Sequence, residues 1–213
     1  MAQNGIQPSS AADSNVVTDR VFTAANIITF VRLLMIPAYF IVLLQGHNLA
    51  AAVLFAAAAA TDFLDGQVAR RTHTVSRVGQ LLDPVVDRLL MIFGVLGVFI
   101  VGRIPLWIIV LVLARDLLML VGGAYFLARY KVRVPVIYAG KVATTLFFVG
   151  FIGLILNQPL LPGLGLTQAT WLPGFNGLAC SWGIWFIYPA LVLGLVTTAY
   201  YVVSALRMAR ASG

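Results

Sequence analysis

The chain has 213 residues, enough for one domain; 61% are hydrophobic and 10% charged, with a mean hydropathy of +0.98. Soluble domains carry about 25% charged residues, so a water-soluble fold is excluded, and with it a nucleic-acid-binding surface for the net charge of +7. The single cysteine, Cys180, excludes an internal disulfide and any cysteine-built metal cluster.

In chain order, residues 1–20 come first, a polar stretch whose charged side chains are Asp13, Asp19 and Arg20. It lacks the basic start and apolar run of a signal peptide and reads as a disordered cytoplasmic tail. Residues 21–213 read as one transmembrane catalytic domain. Six apolar segments are expected there, near 27–44, 49–64, 81–100, 106–126, 141–156 and 182–203. Crossing a bilayer takes about 20 residues at 1.5 Å each. The second segment is mostly alanine, which suits a helix packed inside the bundle, since small residues let helices approach closely. Residues 157–181 contain no Lys or Arg but do contain Pro159, Pro162 and Pro173, so an irregular loop is expected.

Loop charges orient these segments. One side collects Arg20, Arg70, Arg71, Arg77, Arg129, Lys131, Arg133, Arg207 and Arg210, and the other holds Arg103 alone. Lys and Arg gather in cytoplasmic loops, so both termini are expected in the cytoplasm. The fold expected is an all-α integral membrane bundle of six transmembrane helices. Trp107, Trp171, Trp182 and Trp185 fall near the segment boundaries, where they would anchor the helices at the interface.

All seven acidic residues are Asp, and four of them lie between positions 62 and 87. Asp62 and Asp65 are three apart and share a helix face at the cytoplasmic end of the second segment. Asp83 and Asp87, four apart, share a face near the start of the third. A short connection makes the two helices antiparallel neighbours and brings the four carboxylates to one level. Each Asp deep in a membrane helix costs about 2.5–3.5 kcal/mol, so four cost about 10 kcal/mol before their mutual repulsion. Cations remove that repulsion. A set of carboxylates without His or Cys suits a hard divalent ion such as Mg²⁺, Mn²⁺ or Ca²⁺. Gly66 and Gly79 leave room for a ligand near the backbone, and Arg70 offers a planar fork for a phosphate. A cation transporter is the rival from another class, but transport sites usually lie near the bilayer midplane, and this cluster lies at one edge.

The pattern Asp62-x2-Asp65-Gly66-x2-Ala69-Arg70-x8-Gly79-x3-Asp83-x3-Asp87 resembles the signature of the CDP-alcohol phosphatidyltransferases at every fixed position. The resemblance implies transfer from a CDP-linked donor to an alcohol with release of CMP. It implies a divalent metal, Mg²⁺ or Mn²⁺, in a two-ion site, and a homodimer in the plasma membrane with its active site on the cytoplasmic side. Carried over, Asp62, Asp65 and Asp83 are metal ligands. Asp87 is the general base on the acceptor hydroxyl and touches the second ion. Gly66, Ala69, Arg70 and Gly79 line the pocket for the cytidine and its phosphates.

Further features resemble the branch that makes phosphatidylglycerol phosphate or cardiolipin: Asn26-x2-Thr29-x2-Arg32-x4-Pro37, Leu82-Asp83-Pro84, Asp87-Arg88, Arg115-Asp116 and Gly140-Lys141. The donor implied is CDP-diacylglycerol. The acceptor expected first is glycerol 3-phosphate, then phosphatidylglycerol, then an inositol phosphate. Enzymes for glycerol phosphate often carry Arg-Glu where this chain has Arg115-Asp116, and Lys where it has Arg88. Arg115, Lys131, Arg133 and Lys141 are the cations that could hold an acceptor phosphate. Asp116 is adjacent to Arg115 and faces elsewhere, so the two are expected to pair poorly and to point into a wet pocket beside the active site. His47, His73 and Cys180 carry no chemistry in this reading.

Overall fold

The structure is a computed structural model that describes residues 17–18, 24–72, 75–130 and 138–211, with side chains at 27–61, 85–126, 128–129 and 138–208. Its six helices are α1 (Ala24–Leu44), α2 (Asn48–Thr72), α3 (Arg77–Ile100), α4 (Leu106–Tyr130), α5 (Tyr138–Leu156) and α6 (Ile184–Ala211). Among the described residues, four stretches of 18 to 25 residues are long and apolar enough to cross a bilayer: Ile27–Leu44, Leu106–Phe126, Tyr138–Leu156 and Ile184–Met208. A shorter apolar stretch, Asn48–Thr61, opens α2. The chain is thus an all-α membrane protein. Its large exposed side chains, among them Phe30, Leu117 and Val192, suit lipid and would be a liability in water.

Every expected segment is a helix, and several run on past their apolar part. α2 continues through the whole stretch from Asp62 to Thr72, and α3 begins at Arg77. Apolarity marks only the lipid-facing length of a helix, so polar extensions at headgroup level escape a hydropathy reading. Between α2 and α3, Val75–Ser76 (β2) pairs in parallel with Val17–Thr18 (β1). Two residues of the expected tail therefore lie against the connection between the two halves of the aspartate motif, and residues 1–16 and 19–20 lie outside the described residues.

Packing is built on α1, which lies against both α2 and α3. Tyr39 packs against Phe55 of α2 with ring centroids 5.2 Å apart and the rings tilted by 59°, and its hydroxyl donates to the Phe93 carbonyl of α3. α2 also lies against α5, with the rings of Phe55 and Phe148 6.2 Å apart, and its Ala51, Ala52 and Ala58 are buried. It is not wholly interior, because Leu49 and Val53 on its other face are exposed. α5 and α6 pack through small residues. A Cβ on Gly153 would lie 2.7 Å from the Gly183 Cα, so neither position accepts a side chain without the helices moving apart.

A three-residue turn at Gly46, with φ of 82°, reverses the chain between α1 and α2. The helices then alternate in direction, so the start of α1 and the end of α6 lie at the same end of the bundle as the aspartate motif. The opposite end carries the long connection, pinned by a short antiparallel pair of β3 (Leu160–Leu161) and β4 (Cys180–Ser181). The tryptophans do more here than anchor. Trp107 Nε1 donates to the Trp171 carbonyl, Trp182 Nε1 donates to the Gln158 carbonyl, and Tyr188 donates to the Pro173 carbonyl. Arg103 donates to the Leu154 and Ile155 carbonyls at the end of α5 and to Asn48 Oδ1 at the start of α2. Burial lowers its pKa from the ordinary arginine value, and the hydrogen bonds compensate part of the lost hydration.

Candidate active site

The motif splits between two helices, with Asp62, Asp65, Gly66, Ala69 and Arg70 on α2 and Gly79, Asp83 and Asp87 on α3. Beyond that helical placement, the side chains of Asp62, Asp65, Gly66, Ala69, Arg70, Gly79 and Asp83 lie outside the described residues, as do Lys131, Arg133 and His73. Asp87 is described. Its neighbours on α3, Val86 and Leu90, are core side chains, yet its own carboxylate is 45% exposed.

Asp87 is held from α1. Arg32, whose side chain is 0% exposed, donates from Nη1 to Asp87 Oδ1 at 3.0 Å. The Nε of the same guanidinium donates to Thr61 Oγ1 at 3.2 Å. The Thr61 hydroxyl is itself oriented, donating to the Ala58 carbonyl at 2.7 Å. One buried cation therefore spans α2 at the residue before Asp62 and α3 at Asp87. Asp65 comes one helical turn after Thr61, and Asp83 one turn before Asp87, in helices that run in opposite directions. A buried arginine is tolerated because its partners replace the lost water, and removing one partner from such a pair is strongly destabilising.

A second network adjoins the first. Arg88, next in sequence to Asp87, reaches Asp116 Oδ2 on α4 at 2.8 Å. Arg115 Nη1 donates to Asp116 Oδ1, also at 2.8 Å. This corrects the sequence expectation that Arg115 and Asp116 pair poorly. Their Cβ atoms do diverge, but the arginine stem is long enough to turn its guanidinium back onto the neighbouring carboxylate. Both side chains are 12% exposed, so they form a largely buried network and not a wet pocket. Arg115 Nε is buried and has no hydrogen-bond partner among the described residues. α6 makes room for it, since a Cβ on Gly194 would stand 3.6 Å from that nitrogen.

Lys141 is exposed in the first turn of α5 and donates no side-chain bond to either network. His47 is exposed in the α1–α2 turn. Cys180 lies in β4 at the far end, and burial pushes its thiol up and away from the reactive thiolate. The sequence reading quoted Arg32 and Arg88 as features of a resemblance but gave neither a role in the site. Arg32 carried a usable signal, because an arginine inside an apolar segment needs a partner.

Among the described residues no group of three or more His, Cys, Asp or Glu could hold a metal ion; of the four motif aspartates only Asp87 has a described side chain, and a set of carboxylate oxygens is the kind of donor a hard divalent cation takes.

The model of the CDP-alcohol phosphatidyltransferase family matches residues 22–196, and the chain belongs to that family. It is similar to a Streptomyces coelicolor protein named cardiolipin synthase (CMP-forming), 33% identical over 207 residues, covering 93% of this chain and 90% of the relative. It is also similar to a Mycobacterium tuberculosis protein named as a cardiolipin synthase, 35% identical over 176 residues, with 81% and 79% covered. A second M. tuberculosis protein, named as a phosphatidylglycerophosphate synthase, is 33% identical over 152 residues, with 66% and 70% covered.

Proposed function

We propose that this enzyme transfers the phosphatidyl group of CDP-diacylglycerol to phosphatidylglycerol, forming cardiolipin and releasing CMP. The observation that carries the acceptor is the likeness to the Streptomyces coelicolor cardiolipin synthase, which spans nearly the full length of both chains. The second network agrees with it. Arg115 is committed to Asp116, so it is less available to gather a small phosphate dianion than the sequence reading supposed. The two positions that depart from the glycerol-phosphate pattern, Arg88 and Asp116, are partners in one ion pair.

In this reading all six helices cross the plasma membrane, both termini are cytoplasmic, the site opens to the cytoplasm, and two copies associate. Asp62, Asp65 and Asp83 hold Mg²⁺ or Mn²⁺, with Asp87 touching a second ion. When bound, the metal supplies charge neutralisation at the diphosphate. Arg70, beside Gly66 and Ala69, grips the donor phosphates, and Gly79 leaves them room. Asp87 takes the proton from the acceptor hydroxyl. The hydroxyl oxygen attacks the phosphorus that bears diacylglycerol, and the bond from that phosphorus to CMP breaks.

Glycerol 3-phosphate is the second reading, favoured by the relative named as a phosphatidylglycerophosphate synthase and by the exposed Lys141 at the start of α5. Purified protein given CDP-diacylglycerol with each alcohol in turn decides between them through CMP release. Phosphatidylglycerol should support turnover, and excess EDTA should abolish it. Turnover with glycerol 3-phosphate alone replaces the first acceptor with the second. Full turnover in EDTA overturns the metal-assisted reaction.

A further inference from the structure

Arg32 is an arginine inside an apolar span, on a helix that contributes no residue to the aspartate motif. Taking a guanidinium out of water costs several kcal/mol, so its position requires specific partners. Two of them are Thr61, which immediately precedes the α2 aspartates, and Asp87, the last aspartate of α3.

We infer that Arg32 is a positioning residue that acts through Asp87, holding its carboxylate where the acceptor hydroxyl must meet it; the inference rests on the reaction proposed above. Three features argue for this over a general packing role. Arg32 is fully buried while Asp87 is half exposed, so the pair has a fixed inner member and an accessible outer member. The Nε–H and Nη1 donors belong to one rigid plane but leave it on different sides, so the separation of Thr61 from Asp87 is set by the guanidinium itself, which the single nitrogen of lysine cannot do. The Thr61 hydroxyl spends its proton on Ala58 and presents a lone pair to Nε. α1 thereby fixes both the register of α2 against α3 and the direction of the Asp87 carboxylate.

The test is a double-mutant cycle in purified protein, read by CMP release and by thermal unfolding. Its members are the wild type, Arg32→Met, Asp87→Asn and the double variant, with Arg32→Lys as the conservative partner. Displacing a reacting group by about 1 Å can cost about a hundredfold in rate, so Arg32→Met should lower kcat by about that factor with KM for CDP-diacylglycerol little changed. Arg32→Lys should fall between Arg32→Met and the wild type. In the double variant the rate should be no lower than in Asp87→Asn alone, because a residue that acts through another adds nothing once the other is gone. Unfolding midpoints should be non-additive in the same sense. Losses that multiply and midpoint shifts that add overturn the inference. Should the wild type release no CMP with any acceptor, the proposed reaction fails, and the unfolding cycle still decides whether Arg32 acts through Asp87. If Arg32→Met does not fold, Arg32→Lys carries the same comparison.

Discussion

Asp62 and Asp87 carry the same carboxyl group, but α3 gives Asp87 a guanidinium partner from α1. Their substitutions should therefore differ. In the reaction proposed above Asp62→Asn removes a metal ligand, and it should lose Mn²⁺ binding and CMP release together. Asp87→Asn removes the proton acceptor but keeps a side-chain oxygen facing Arg32, and should slow turnover by a factor of about 10² or more while leaving donor binding intact. Titrating Mn²⁺ into both variants checks this. If Asp87→Asn binds Mn²⁺ as poorly as Asp62→Asn, its first duty is as a ligand. At this scale the sequence was legible wherever charge was costly. Four aspartates in an apolar chain announced themselves. Arg32 was passed over because its partners are 29 and 55 residues away, a distance that no local spacing reveals.

At the scale of elements, α3 and α4 meet through charge as well as through apolar contact. Asp116 receives Arg88 from one helix and Arg115 from its own. Replacing Asp116 with Asn leaves two guanidinium groups without their anion, and breaking such a pair costs about 3–5 kcal/mol where the charges are buried. The midpoint of thermal unfolding should fall clearly in Asp116→Asn. Reach matters as well as charge. Asp116→Glu alone lengthens one arm and crowds the network, whereas Arg88→Lys with Asp116→Glu shortens the opposite arm in compensation. The double variant should unfold closer to the wild type than Asp116→Glu does; a midpoint below that of the single variant would falsify the coupling. Element identities were legible from apolar runs, because every expected segment is a helix. Their ends were not. α2 and α3 extend into the motif, where backbone hydrogen bonds continue after hydrophobicity stops.

For the molecule as a whole, composition alone placed the chain in a membrane, and six apolar runs gave the number of helices. Which helices touch was not legible, since apolar stretches in lipid carry little periodic signal to name their partners. Sidedness follows from charge and can be tested. A reporter at the C-terminus should be active only in the cytoplasm, and a tag inserted near Gly165 should be reached only from outside. Labelling of both from the same side overturns the six-span arrangement. The cluster at Arg103 bears on the same question from another direction. It joins the end of α3 to the start of α2 and the end of α5, under a connection pinned by Trp107, Trp182 and Tyr188. A carrier that moves ions must expose its site to each face of the membrane in turn, and so must be able to part its helices at both ends. A bundle clasped in this way is held together at that end. That is a poor design for alternating access, and the reaction proposed above does not need it, since there donor, acceptor and product all reach the site from a single leaflet.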